Sequence, residues 1–197
     1  IDEPSLEAVG AQWPWPRSTH ARLIERLREA GVRAIAFDVV FAEPTEPSED
    51  QAFAAALGPD VVLAADESLI ERPYGAMLTR TEPMPEFVQA GARFGIASLE
   101  MDSDGVLRTL PSYPDGFMTR LLEAAGATQR QEVGADRKIQ YFGIPGSYPT
   151  ISYYQALDPD EYLPPDYLKG RVVIVGLALQ TNADVSRGAV DAFETSY

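Results

Sequence analysis

The chain has no cysteine, a single histidine (His20) and only two lysines (Lys138 and Lys169) among 197 residues. The missing cysteine excludes disulfides, thiolate catalysis and cysteine-bound metal. One histidine cannot build a histidine-cluster metal site. Positive charge is scarce as well: 16 basic residues stand against 30 acidic ones, a formal net charge of −14. No basic stripe is available to neutralise phosphates, which argues against nucleic acid as a partner and against adsorption to anionic lipid. No apolar run reaches the length of a membrane span. What is present is an ordinary globular composition, 45% apolar and without low-complexity tracts, long enough for one sizeable core.

Apolar periodicity gives the element order. "RSTHARLIERLREAG" (17–31) sets Ala21, Leu23, Ile24, Leu27 and Ala30 on one helix face, with Ser18 to cap it and Gly31 to end it. "VRAIAFDVVF" (32–41) reads as a buried strand of the parallel type. "SEDQAFAAALG" (48–58) is a helix opened by a Ser48/Gln51 capping box, and "DVVLAA" (60–65) is another short buried strand. Further on, "ERPYGAMLTRTEPMPEF" reads as a long loop with a short helix over "PEFVQAG". "FGIASLEMDSDGVLRTLPSY" reads as a hairpin, and "GFMTRLLEAAG" as a helix ended by Gly126. "KIQYFG" is a strand, "ISYYQAL" opens with a Ser152/Gln155 capping box, and "GRVVIVGLAL" is the expected central strand, followed by a polar loop. Alternating helices and buried strands predict an α/β fold: a mainly parallel central sheet flanked by helices, with an inserted β-hairpin. No linker divides residues 1–197, which are expected to form one domain. The opening "IDE" reads as the end of a strand whose start lies upstream.

Three groups of residues invite a chemical reading. "MDSDGVL" (101–107) fits the nucleophile motif of haloacid-dehalogenase-like phosphohydrolases, with Asp102 as nucleophile and Asp104 as acid/base. That chemistry also needs a lysine and a downstream acidic pair, but the chain has only Lys138 and Lys169, and no adjacent Asp pair follows a late strand. Asp102, Asp104, Gly105 and Arg108 therefore read first as a structural turn. The same residues are half of an EF-hand loop, but its closing glutamate is absent, so no metal is expected there. The second group is the set of carboxylates near strand ends: Asp2, Asp38, Asp66, Asp184 and Asp191. Ligands of open α/β sheets bind beyond the carboxyl ends of strands. Asp38 is the conspicuous one, because it interrupts the apolar run "AIAFDVVF". A buried carboxylate needs a partner, and Arg17 is the expected one, in a cluster with Asp2. The third group is "WPWPR" (13–17), which reads either as a stacking surface or, more ordinarily, as a rigid corner with tryptophan filling.

In order along the chain, "IDEPSLEAVGAQWPWPRSTHARLIERLREAGVRAIAFDVVF", "EDQAFAAAL", "DSDGVLR", "FGIPGSYPTISYYQAL", "LKGRVVIVGLA" and "VDAFETSY" resemble the segments of the type-2 CHASE domain, with Ser196 where proline is usual. The resemblance covers nearly the whole chain. It implies an extracytoplasmic, periplasmic sensory domain, in a protein anchored by a transmembrane helix before it and further ones after it. It also implies a cytoplasmic output, most often a class III adenylate or guanylate cyclase, otherwise a kinase or diguanylate cyclase. A non-enzymatic domain is expected, without cofactor, acting as a homodimer on an unknown small molecule or periplasmic partner. The candidate ligand-binding residues are then Asp2, Arg17, Asp38, Asp184 and Asp191. The alternatives are a phosphohydrolase using Asp102 and Asp104, and a purely structural dimerisation module.

Overall fold

The computed structural model describes residues 1–179 except 73, 100, 101, 103, 112, 128–137, 141, 142 and 144–146. The elements are α1 (Glu3–Val9), α2 (Arg17–Glu29), β1 (Ala34–Phe37), α3 (Pro47–Ala56), β2 (Val61–Arg72), β3 (Gly75–Thr81) and α4 (Pro85–Gln89). They continue with β4 (Arg93–Ile96), α5 (Phe117–Ala124), α6 (Tyr153–Leu157), α7 (Pro159–Tyr162) and β5 (Val172–Val175). β4, β2, β1 and β5 pair side by side and in parallel, with Ile35 opposite both Val61 and Val173. The expected α/β architecture, a mostly parallel open sheet with helices on its faces, is the one observed.

The two faces of the sheet differ in side-chain size. Ile35, Phe37, Val61 and Leu63 point to one side, where Leu23, Ile24, Leu27, Phe53 and Phe87 complete the main core. Ala34, Ala36, Val62 and Ala64 point to the other, where Phe117 and Leu121 of α5 pack. Small residues there let α5 approach closely. Gly95 marks the tightest point: a Cβ on it would stand 2.7 Å from the backbone nitrogen of Phe117.

Several sequence expectations need correction. β5, the most apolar stretch, is not central. It borders β1 alone among the named strands, and Val172 and Ile174 are 42% and 53% exposed. The hairpin lies earlier than predicted: β2 runs on past Ala65 and pairs antiparallel with β3, Asp66 opposite Thr81, through residues expected to be loop. β4 pairs with β2 instead of folding back across "DSDG". "KIQYFG" contributes a bridge from Lys138 to Thr109, with part of it outside the described residues. The Ser48/Gln51 capping box is not used, because α3 starts at Pro47, with Glu46 at the N-cap two residues before Ser48. The Ser152/Gln155 box does form, Ser152 N–H donating to Gln155 Oε1 at 3.0 Å. Asp2 does not end a strand directly; it caps α1, which the sequence reading left unassigned.

His20 sits inside the main core, 2% exposed. Its ring centroid lies 5.6 to 6.3 Å from those of Trp15, Phe37, Phe41 and Phe53. Its Nδ1 is 2.8 Å from the Tyr153 hydroxyl, which also reaches the Thr19 carbonyl at 3.3 Å. Trp15 stacks tilted on Tyr153 at 4.8 Å, so "WPWPR" is a packed corner. Burial, aided by the nearby Arg17 charge, pulls the His20 imidazole from 6.5 down to about 4.

The sign of the resulting pH dependence is fixed. The unfolded chain takes up this proton below pH 6.5, the folded chain only near pH 4. Stability is full above the upper value, falls as pH drops through the window, and stays low beneath it. The loss across the window is about 3 kcal/mol. Urea unfolding of the wild type and of His20→Gln, measured at several pH values, should show the steep slope between the two pKa values in the wild type only. Equal slopes would mean that His20 is not buried neutral.

Candidate functional site

Arg17 opens α2 and turns its side chain inward, leaving it 7% exposed. Its Nε lies 2.6 Å from Asp50 Oδ1, and its Nη2 donates to the Glu43 carbonyl. The guanidinium carbon sits 5.0 Å from the Phe41 ring and 5.1 Å from the Phe87 ring. Asp50, in the first turns of α3, also accepts from Thr45 N–H at 2.8 Å and from Thr45 Oγ1 at 2.7 Å. Burial works to raise the Asp50 carboxyl, but the Thr45 donors and Arg17 outweigh it and hold it below the usual range. The pair closes the loop between β1 and α3 against both helices. The carboxylate that Arg17 meets is therefore Asp50, and the expected Arg17–Asp38 pair is replaced.

Asp38 lies just past β1 and is exposed, so its charge needs no buried partner. Its N–H donates to the Val175 carbonyl at 2.8 Å. Gly176 sits against it: a Cβ there would stand 3.7 Å from Asp38 Cβ. Asp2 lies on the other side of the same strand end. Ile1 N–H donates to the Gly176 carbonyl at 2.7 Å, placing Ile1 and Asp2 along the edge of β5 away from β1. Asp2 accepts from Ser5 N–H at 3.2 Å, from the Ser5 hydroxyl, and from Ser152 Oγ at 2.5 Å. Burial raises its carboxyl, and the Ser152 and Ser5 donors more than reverse this, holding it below the usual range. Asp2 thus ties α1 to α6. Asp66 accepts from Ser98 Oγ at 2.7 Å and from Ser68 Oγ at 2.6 Å. Asp2, Arg17 and Asp38 do not form one cluster: β5 separates the two carboxylates, and Arg17 is committed elsewhere. Asp184 and Asp191 lie outside the described residues.

The "DSDG" segment is a turn. Gly105 N–H donates to the Asp102 carbonyl at 2.9 Å, and Gly105 has φ 79°, which glycine adopts without strain. Arg108 Nη1 lies 2.9 Å from both Asp102 Oδ2 and Asp104 Oδ1, while its Nη2 reaches Asp104 Oδ2. The Arg108 hydrogen bond leads the causes that hold the Asp104 carboxyl down. The guanidinium thus engages both oxygens of Asp104, the candidate acid/base, and Oδ2 of Asp102. With magnesium and p-nitrophenyl phosphate, the wild type and Asp102→Asn should be equally inactive. Turnover that Asp102→Asn abolishes would restore the phosphohydrolase reading.

One further feature is concave. A cavity of about 620 Å³ runs along the outer edge of β5. Leu23, Leu27, Ile151 and Leu168 line it together with the polar side chains of Thr150, Tyr153 and Arg171. Asp2 and Ser152 also line it, already bonded to each other.

Sequence reasoning missed Asp50, His20 and Tyr153. The first two were within reach. The apolar stripe of α2, extended backwards at helical spacing, puts Arg17 and His20 on the core face. The same extension from Phe53 in α3 reaches Asp50. A charged residue on each buried stripe, at the start of adjoining helices, marks an ion pair.

The pair also makes a stability contrast. Asp50→Ala would leave the Arg17 charge buried and should cost about 3 kcal/mol, much of it recovered by the paired replacement Arg17→Met with Asp50→Leu. Asp38→Ala should cost less than about 1 kcal/mol. Urea unfolding of the variants checks the order, and a larger loss from Asp38→Ala would reverse the assignment.

The family model of the CHASE2 domain matches residues 1–197. Neither a curated protein nor a solved structure matches the chain. The match runs through every element described above, from the Asp2 cap of α1 to β5 and beyond. The chain therefore belongs to the CHASE2 domain family, a family of extracellular sensor domains.

Proposed function

We propose that residues 1–197 are the periplasmic sensor of a membrane-anchored bacterial signalling receptor, working as a homodimer. The proposed output is a cytoplasmic class III adenylate or guanylate cyclase, with a kinase or diguanylate cyclase as the other members of the same reading. The observation that carries it is the family match over residues 1–197. The acidic surface supports it, since a net charge of −14 suits neither nucleic acid nor an anionic bilayer.

The mechanism needs no chemistry on the domain. A small molecule or a periplasmic protein binds two arrangements of the sensor unequally and shifts their populations. Moving the ratio from 1:99 to 99:1 takes a differential affinity of about 5.5 kcal/mol. Class III cyclases build their active sites between two chains, so a changed relation between two sensors alters the output directly.

In membranes carrying the full-length receptor, replacing residues 1–197 by an inert linker should change nucleotide-cyclase output or its response to periplasmic extract by several-fold. Unchanged basal and stimulated output would remove the sensing role. Thermal-shift screening of the domain with metabolites and divalent cations should find its ligand as a rise in Tm, because binding to the folded state alone stabilises it.

A further inference from the structure

Beyond Ser98 the arm formed by β2 and β3 has two edges that no other strand covers among the described residues, and the two are not equivalent. Glu67 N–H donates to Ser98 Oγ at 2.7 Å, and Ala65 C=O accepts from Ala97 N–H at 2.9 Å, so odd-numbered residues of β2 turn their backbone groups toward β4. Even-numbered ones turn theirs to the β1 side, where Asp60 C=O accepts from Ile35 N–H at 2.9 Å. The ladder to β3 therefore bonds through even-numbered residues, Asp66 with Thr81, Ser68 with Thr79 and Ile70 with Met77. Alternation along β3 points the N–H and C=O groups of Ala76, Leu78 and Arg80 away from β2. Among the described residues, none bonds these outward groups.

The arm is apolar and uncovered on both faces. Leu78 and Leu69 stand opposite each other at 62% and 63% exposed, and Met77 and Ile70 form a second exposed pair on the other face. A two-stranded ribbon in water is marginal by itself, and an exposed apolar edge is a template for another strand. Charge selects the edge. The outward residues of β2 are Glu67, Leu69 and Glu71, so self-pairing about Leu69 would set acidic positions opposite each other. β3 contains a single ionised residue, Arg80, whose charge is already met by Asp115 and Glu82. Antiparallel self-pairing about Leu78 sets Arg80 opposite Ala76 of the other copy, and Met77 opposite Thr79. It brings no like charges together, although each chain carries −14. The outward groups of Ala76, Leu78 and Arg80 then all find partners across the axis. A contact from β3 of one copy to β2 of the next would be head-to-tail, an arrangement that forms rings or open filaments and no closed pair.

We propose that β3 is a dimer contact: two copies of this chain pair their β3 strands antiparallel across a two-fold axis at Leu78, so that the two arms form one continuous sheet. The proposal rests on the homodimer reading and gives it a surface and a register. Leu78 of one copy lies beside Leu78 of the other, and the two exchange both backbone hydrogen bonds.

One strand pair is a small contact beside the roughly 800 Å² per partner of a standard interface. Association is therefore measured at about millimolar chain, the effective concentration of two tethered copies. Sedimentation there should show a dimer in the wild type. Leu78→Pro removes an outward N–H and leaves the bonds to β2 in place. It should weaken the dimer about tenfold or more, since the two-fold axis loses a hydrogen bond on each side, while circular dichroism shows the chain still folded. The chain has no cysteine, so single replacements report cleanly. Leu78→Cys should link to its own copy under mild oxidation, because a bonded antiparallel pair lies about 5.5 Å apart, within disulfide reach. Ala76→Cys and Arg80→Cys should each stay unlinked alone and link when mixed. A monomeric wild type would overturn the contact together with dimerisation through this domain. A dimer that Leu78→Pro leaves unchanged, or in which Leu78→Cys does not link, would overturn the contact and leave the homodimer reading standing. Oligomers that grow with concentration would mean head-to-tail pairing and would also overturn it.

Discussion

Alternation of side-chain size along β1 and β2 is the constraint on which the rest of the structure depends. Large residues (Ile35, Phe37, Val61, Leu63) face one helical layer, and small ones (Ala34, Ala36, Val62, Ala64) face α5. Period-two patterning gives each strand two independent surfaces, and here they are used unequally. The large face gathers the aromatic core of Phe37, Phe53 and Phe87. The small face lets a single short helix come close, near enough that Gly95 has no room for a methyl group. α5 therefore covers β1, β2 and β4, and leaves Val172 and Ile174 of β5 outside its reach.

Two charged side chains and a histidine lie within the large face, and they make sense only together. The loop from Asp38 to Glu46 has no regular hydrogen bonding of its own, so its polar groups need partners. Arg17 takes the Glu43 carbonyl, Asp50 takes both Thr45 donors, and Met84 N–H takes the Phe41 carbonyl at 2.9 Å. The ion pair contributes little net energy once desolvation is counted, but it fixes where the loop lies. His20, one turn along α2 from Arg17, stays neutral because the Arg17 charge and the surrounding rings both oppose a second cation.

This division explains what could be seen in the sequence. α2, α3, α5 and β1 were legible because each buries one periodic stripe, and the stripe is in the sequence. The short helices α1 and α7 have no stripe long enough to read. β5 was misplaced because "VVIV" has the composition of a fully buried strand, while position in the sheet is decided by which neighbours are present. The arm of β2 and β3 was missed because the Pro- and Gly-containing segment around Tyr74 reads as loop, whereas the ladder runs on to Arg72 opposite Gly75. Asp38 misled for a related reason: an aspartate at the end of an apolar run resembles one in its middle, and only the length of β1 separates them. Of the partners of Asp2 and Asp66, Ser5 is local, in the first turn of the helix that Asp2 caps, while Ser152 and Ser98 are brought to them by tertiary structure alone.

The same division bears on how such a domain can carry a message. A change between two arrangements costs least where the least burial is lost. The loop held by Arg17 and Asp50 is clamped on both sides, and shifting it would expose a charge pair. The β2–β3 arm is different: β3 is exposed along nearly its whole length, with Leu78 62% and Met77 47% exposed. Beyond its own ladder it is tied down by Arg80, which bonds Asp115 and Glu82 and lies over Phe94 at 6.0 Å. Asp115 immediately precedes the backbone that crosses Gly95 into α5. The arm thus meets the segment leading into α5 through the Arg80 guanidinium, and the stretch after β4 through Ser98, which bonds Asp66 and Glu67 N–H. Both contacts lie away from the aromatic core of Phe37, Phe53 and Phe87.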